Sequence, residues 1–340
     1  MHRSELTVDL GAFRRNVRRL LGALEGAELW AVVKANGYGH GAADVSRAAL
    51  AEGASALCLA TVAEALVLRL EFPGVRLIVM GPTTPDEVAA AREARLELTV
   101  VSDGEIPEGL PVHIKLDTGM GRWGLAELPG TPAHVVGLMT HFATADTDLG
   151  FAAEQLERFV AATAAHAHLT RHVANSAAAL RLPSARLDAA RCGLALYGLS
   201  PFGGDPAQEG LEPVLAWRSY LARVVRLAPG ESTGYGRRFL ADRERWIGVA
   251  PVGYADGFRR DLTGTEVLVL GERRRVVGTI SMDAFAIELP HELPVGAPVT
   301  LLGEGLLAEE HARVAETITY ELVTGVNSDP TRARRTTVDA

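Results

Sequence analysis

Lysine is almost missing from this chain. Among its 34 basic residues only Lys34 and Lys115 are lysines, and the other 32 are arginines. The richness in Ala and Gly points to genomic base composition as the source of that drift. A guanidinium stays protonated in proteins, whereas an amine can give up its proton and act as nucleophile or base. Each surviving lysine therefore marks a place to look for a deprotonable group. Cysteine is scarce too. Cys58 and Cys192 cannot build a disulfide framework in 340 residues, and no Cys-x-x-Cys pair occurs, so they read as reduced thiols of an intracellular protein. Positive charge is in deficit: a net charge of −8 excludes a general nucleic-acid binder and a basic membrane-surface protein. Long apolar runs are absent, since the most apolar stretch, 49–70, is broken by Glu52, Glu64 and Arg69, and Met1-His2-Arg3-Ser4-Glu5 leads into no signal core. What remains is a cytoplasmic protein with neither membrane nor nucleic-acid partners.

What is present is an ordinary globular balance, 48% hydrophobic and 22% charged, in a length that holds about two domains. After a leading segment at 6–10, helical periodicity runs over 12–24 with Asp9 as its cap. Short apolar runs follow at 29–33, 56–60, 76–80, 98–101, 112–116, 135–140, 172–174 and 187–190, separated by helical patterns such as 151–167. Eight such runs predict βα units and a parallel (β/α)8 barrel, TIM-like, over 1–214. A Gly/Pro-rich breaker at 198–206 ends that pattern. Beyond it, β-like runs at 214–227, 245–252, 266–270, 275–279, 284–289 and 299–302, with one helical stretch at 307–322, predict a mainly β domain over 215–340, with which residues 1–10 are able to pair.

Lys34 ends the first apolar run, within Val33-Lys34-Ala35-Asn36-Gly37-Tyr38-Gly39-His40-Gly41. The carboxy-terminal ends of barrel strands are where barrel active sites are built. An apolar run before the amine favours its neutral form and hence covalent chemistry with a carbonyl. The glycines allow close backbone approach to a ligand, and Tyr38 offers a phenol. Taken by itself, a strand-end lysine is more readily explained by an ion pair with a carboxylate.

This segment resembles the pyridoxal phosphate (PLP) lysine motif of the alanine racemases. Further blocks resemble that family in the same order. They are Lys115-Leu116-Asp117-Thr118-Gly119-Met120-Gly121-Arg122-Trp123-Gly124, Thr140-His141-Phe142-Ala143, Asn175-Ser176, Arg191-Cys192-Gly193-Leu194, Gly234-Tyr235-Gly236, Gly253-Tyr254-Ala255-Asp256-Gly257 and Ser281-Met282-Asp283. The resemblance implies a PLP-dependent isomerase that interconverts L- and D-alanine by two-base proton transfer at Cα and supplies D-alanine for peptidoglycan. It implies a homodimer with composite active sites. Lys34 would hold PLP as a Schiff base and act as one base, and Tyr235, from the partner subunit, would be the other, helped by His141 and Arg122. Arg191 would face the pyridine nitrogen; because it can only donate, it would leave that nitrogen unprotonated and weaken the electron sink. Tyr38, Ser176, Gly193 and Leu194 would hold the phosphate, Arg122 and Met282 the substrate carboxylate, and Tyr254, Arg260 and Asp283 would line the approach. Some relatives carry a carbamylated lysine at the position of Lys115, bracing the arginine equivalent to Arg122. No metal is implied.

Two departures stand out. Thr279 occupies a position where many relatives have arginine, and the tail reads Asn327-Ser328-Asp329-Pro330-Thr331-Arg332 in place of the usual Arg-Val-Pro-Arg. The alternatives are a broad-specificity amino-acid racemase on the same scaffold and a non-catalytic PLP-binding barrel. A barrel-type PLP decarboxylase fits poorly, because those enzymes place an acid where Arg191 stands.

Overall fold

The computed structural model describes residues 2–303 and 305–340. The chain divides into two compact units, one formed by Phe13–Glu212 and the other by the chain up to Ala12 together with Pro213–Ala340. The first strand, β1 (Glu5–Asp9), belongs to the second of these and hydrogen-bonds within its sheet.

In the unit Phe13–Glu212 the eight apolar runs become eight parallel strands that close into a barrel: β2 (Glu28–Val32), β3 (Ala56–Leu59), β4 (Arg76–Val79), β5 (Glu97–Val100), β6 (Val112–Lys115), β7 (Val135–Met139), β8 (Thr170–His172) and β9 (Ala189–Cys192). Closure comes from β9 pairing back on β2, Glu28 opposite Ala189. The last two strands lie about one turn of the pleat away from the runs that announced them. Leu187 adopts a left-handed φ of 46°, which no strand accommodates, and Asp188 accepts from the Arg171 N–H at 2.7 Å, so β9 starts only at Ala189.

Helices are set by local caps. Thr61 and Glu64 form a reciprocal capping box at Val62–Glu71, Thr84 and Glu87 another at Pro85–Glu93, and the Asp148 carboxylate accepts the first N–H groups of Leu149–Thr163. The alternation is nevertheless incomplete: no helix joins β5 to β6 or β6 to β7. Both connections are rich in Gly and Pro, which break helices. The second of them carries Arg122.

Along the barrel strands Leu57, Leu77, Ile78, Ile114 and Leu138 are fully buried, alternating between the barrel interior and its outer, helix-covered face. Each such side chain contributes about 1.5–3 kcal/mol relative to exposure. Polar groups share this interior: His113 and His172 are also fully buried. Their room comes from Gly137 on β7, where an added Cβ would lie 2.2 Å from His113 Nδ1.

The other unit is built on a nine-stranded sheet. Its remaining strands are β10 (Leu215–Tyr220), β11 (Arg223–Leu227), β14 (Arg245–Ala250), β15 (Glu266–Val269), β16 (Glu272–Val277), β17 (Phe285–Leu289), β18 (Pro298–Leu302) and β19 (Arg334–Val338), ordered β11-β14-β17-β16-β15-β18-β10-β1-β19, with the short pair β12 (Ser232–Thr233) and β13 (Phe239–Leu240) apart from it. Among the described residues of this sheet only β1 and β19 pair in parallel. The single helical stretch expected at 307–322 is two helices, Ala308–Val314 and Thr319–Thr324. Glu316 turns left-handed at φ 50° and the Thr317 N–H closes back on the Ala312 carbonyl at 2.9 Å, a helix-ending turn. Among the described residues no helix is long and apolar enough to cross a membrane.

Gly137→Ala overpacks the barrel against His113 and costs about 1–3 kcal/mol, read as a lower thermal unfolding midpoint; an unchanged midpoint would contradict this packing.

Candidate active site

Lys34 leaves the end of β2 on an unusual backbone. Ala35, Asn36, Gly37 and Tyr38 all have positive φ, between 50° and 61°. For non-glycine residues this conformation costs about 1–2 kcal/mol each. It is held by main-chain bonds from Gly37 to Val33 and from Gly41 to Asn36, by Asn36 Oδ1 accepting from the Ala42 N–H, and by Glu64 Oε1 accepting from the Ala35 N–H at 2.7 Å. The left-handed turn directs the chain back so that Tyr38 is buried and stacks on Tyr197, ring centroids 4.7 Å apart. Burial, and then the Arg122 guanidinium, lower the Lys34 amine below its ordinary range, against the opposing pull of Glu64.

Arg191, on β9, is buried. Its two terminal nitrogens are consumed by the protein: one donates to the carbonyl and to Nδ1 of His172, the latter at 2.9 Å, and the other to the Thr140 carbonyl at 2.8 Å, His141 Nδ1 at 3.3 Å and the Val173 carbonyl at 3.3 Å. The Nε–H is left without a partner among the described residues, and no carboxylate touches the guanidinium. Burial pulls Arg191 down to about 10 and, with the neighbouring Arg191 charge, holds His141 and His172 well below the usual imidazole range, so both rings are neutral.

A polar corner lies beside these groups. Ser176 Oγ accepts from the N–H groups of Gly193 at 3.1 Å and Ala195 at 3.3 Å. A Cβ on Gly193 would stand 2.5 Å from Tyr38 Oη, so only glycine admits this approach, and Leu194 follows it in the buried turn Leu194–Tyr197. Phenol, hydroxyl and backbone donors thus converge where an anion could sit.

Lys115 ends β6, and the loop after it is drawn tight by Asp117, whose carboxylate accepts from the N–H groups of Gly119, Met120 and Gly121. That loop presents Arg122 at the surface, over the Trp123 ring at 5.2 Å. Burial, then Arg122 and Arg191, bring the Lys115 amine down to about 8.

The remaining sequence-predicted residues belong to the other unit. Tyr235 opens a tight turn between Gly234 and Gly236, both at positive φ, and its side chain is 73% exposed. Thr279, at the departure position, donates its hydroxyl to the Tyr235 carbonyl at 3.0 Å. The Tyr254 and Ala255 N–H groups donate to the carbonyls of Ser281 and Met282, which sets Tyr254 and Met282, both exposed, on adjoining loops. Asp283 accepts from Arg332 of the tail at 2.8 Å; the same arginine, together with Arg3, binds the buried Asp256. Arg260 lies exposed in the turn Arg260–Leu262.

Both halves of the chain match models of one family: "Alanine racemase, N-terminal domain" over residues 8–201 and "Alanine racemase, C-terminal domain" over 214–334. This chain belongs to the alanine racemase family. It is therefore an isomerase of a PLP-dependent family. Curated relatives include the alanine racemase of Lactiplantibacillus plantarum, 39% identical over 95% of each chain, and alanine racemase 1 of Bacillus subtilis, 39% identical over 94% of this chain and 90% of the relative. Among solved structures, the alanine racemase of Streptomyces coelicolor superposes with a TM-score of 0.91 at 38% identity, covering 99% of this chain and 98% of the other.

Reading the sequence missed a set of residues behind Arg191. His172 Nε2 lies 2.9 Å from His113 Nδ1, and His113 Nε2 lies 2.9 Å from Glu97 Oε2. Arg76 grips the same carboxylate with Nε at 2.9 Å and a terminal nitrogen at 3.1 Å. The available signal was a polar residue inside a barrel strand two positions before Lys115, on the same face of β6. Burial raises the Glu97 carboxyl, and the hydrogen bonds from His113 and Arg76 overcome that rise and hold it at about 2. A carboxyl lowered by folding stabilises above its ordinary range, and the stabilisation is lost as pH falls toward the lowered value. Wild type should therefore exceed Glu97→Gln in urea-unfolding stability by at most about 3 kcal/mol near neutrality, with the gap closing between pH 4.5, the ordinary value, and 2. A gap that does not change with pH would contradict this assignment.

Proposed function

We propose that this chain racemises alanine at Cα with PLP bound in the barrel, Lys34 serving one face of the substrate and Tyr235 of the partner subunit the other. The observation that carries the reading is Arg191: a buried cation that can only donate, with its Nε–H unspent by the protein. Such a group fits a pyridine nitrogen that accepts and carries no proton. The donor corner of Tyr38, Ser176, Gly193 and Leu194 fits a phosphate, and the glycine there is the one residue that leaves space beside Tyr38 Oη. When bound, PLP links covalently to an amine and delocalises the electron pair left behind when Cα loses its proton.

The chain's own groups do the rest. Burial lowers the Lys34 amine and so favours the neutral form that would react with the cofactor carbonyl and take the Cα proton. Arg122, a fork that suits a carboxylate, and the backbone at Met282 orient the substrate. Lys115, buried beside that loop, is suited to take up CO2 as a carbamate, releasing a proton and gaining a carboxylate that braces Arg122. The exposure of Tyr235, Tyr254 and Met282 on the surface of their own unit supports a homodimer in which they complete the partner's site, with Arg260 and Asp283 along the approach. D-alanine made this way would serve peptidoglycan synthesis, and the cytoplasm is the compartment in keeping with that role.

Two outcomes test the reading. Borohydride reduction of the PLP-loaded protein should fix one cofactor per chain on Lys34, and Lys34→Ala should lose racemisation by at least about 10³-fold; label on any other residue sinks the assignment. In deuterated water, Tyr235→Phe should slow exchange from L-alanine by about 10²-fold or more while sparing exchange from D-alanine. Equal losses from both enantiomers would count against Tyr235 as the base on one face.

A further inference from the structure

Arg191 is a buried charge with no acid in contact, an arrangement that is costly unless a counter-charge is connected to it. The nearest carboxylate in its hydrogen-bonded network is Glu97, reached through two imidazoles. The direction of every bond in that chain is determined. Arginine only donates, so His172 Nδ1 accepts and its proton sits on Nε2; that proton goes to His113 Nδ1, which puts the His113 proton on Nε2, facing Glu97. Three successive donors therefore point from the cation to the carboxylate, and each imidazole is confined to one tautomer.

The route is built rather than incidental. Trp30 packs on both rings, centroids 4.4 Å from His172 and 5.7 Å from His113, and Gly137 leaves the volume that His113 fills. Glu97 and Arg76 are the first residues of β5 and β4, so they stand at the amino-terminal end of the barrel, opposite the strand ends that carry Lys34 and Lys115. Arg76 covers the Trp30 ring at 5.0 Å while holding Glu97 with two hydrogen bonds. A carboxylate at the closed end of the barrel is thereby tied to the guanidinium at its open end.

We propose that Glu97 and His113 are positioning residues for the reaction: Glu97 is the counter-charge of Arg191, and the His113–His172 chain transmits its hold by fixing both tautomers and the guanidinium's orientation. This rests on the reading that Arg191 faces the cofactor. With Glu97 removed, His113 loses its acceptor, His172 is released from a single tautomer, and Arg191 shifts against the cofactor without any change at the substrate-binding residues.

The experiment combines two measurements on wild type, Glu97→Ala and Glu97→Gln. Histidine side-chain 15N spectra of the cofactor-free protein should show His113 and His172 protonated on Nε2 in wild type, and interconverting tautomers in Glu97→Ala. In the PLP-loaded protein, Glu97→Ala should lower kcat about tenfold per bound cofactor, with KM for alanine within about twofold and a displaced absorbance band of the bound cofactor. Should Glu97→Ala not fold, Glu97→Gln decides: it keeps an acceptor for His113, so the tautomers persist while kcat still falls. Wild-type rings protonated on Nδ1, or variants with unaltered kcat and absorbance per bound cofactor, overturn the proposal. A wild-type protein that binds no PLP would instead overturn the reading of the site, leaving the tautomer result to stand by itself.

Discussion

Burying the Arg191 guanidinium is the constraint around which the barrel unit is arranged. A cation in that position must have its donors occupied and its charge answered, or the fold would expel it. The protein occupies the terminal nitrogens with the carbonyls of Thr140, His172 and Val173 and the rings of His141 and His172, groups drawn from β8 and from the segments that follow β7 and β8. Those imidazoles are kept neutral by the same burial and the same charge, so they serve as acceptors. What is left of the guanidinium is one donor, and the site's electronic character follows from it. Facing the cofactor as proposed, a donor that keeps its proton across neutral pH would support a weak electron sink, in keeping with moving a proton at Cα rather than with deeper carbanion chemistry.

The second constraint is backbone strain at Lys34. A run of left-handed residues is kept in place by a carboxylate, an amide side chain and a set of main-chain bonds, and its effect is to bury Tyr38 against Tyr197 while Lys34 stays at the strand end. Strain of this kind persists only where surrounding contacts outweigh it. In the other unit the corresponding task is done by pairing: Asp256 gathers Arg3 from the first residues and Arg332 from the tail, and Arg332 reaches Asp283 beside Met282. The tail thus has a local role in its own unit, and Thr279 supports the Tyr235 backbone.

Much of this was legible in the sequence because it is written locally. Apolar runs of four or five residues mark barrel strands, and the blocks around Lys34, Arg191 and Tyr235 are contiguous, so each could be read without knowing the fold. The two missing barrel helices were visible as Gly and Pro but not decisive, since such residues also occur in ordinary βα loops. The onset of β9 was misplaced because it depends on the left-handed φ of Leu187, which leucine seldom adopts. The Glu97–His113–His172 chain was invisible for a different reason. Its members come from three strands, and each looks unremarkable beside its own neighbours; only barrel closure aligns them. Lysine scarcity, by contrast, pointed at two positions from the outset, and both lie at strand ends on the side of the barrel where the proposed site is built.

In the proposed site a buried, donating Arg191 sets the state of the cofactor ring. The most direct test is 15N NMR of the enzyme loaded with PLP labelled at the pyridine nitrogen. That nitrogen should be unprotonated, accept a hydrogen bond and stay so across neutral pH. A protonated nitrogen in the wild-type enzyme would contradict that role of Arg191.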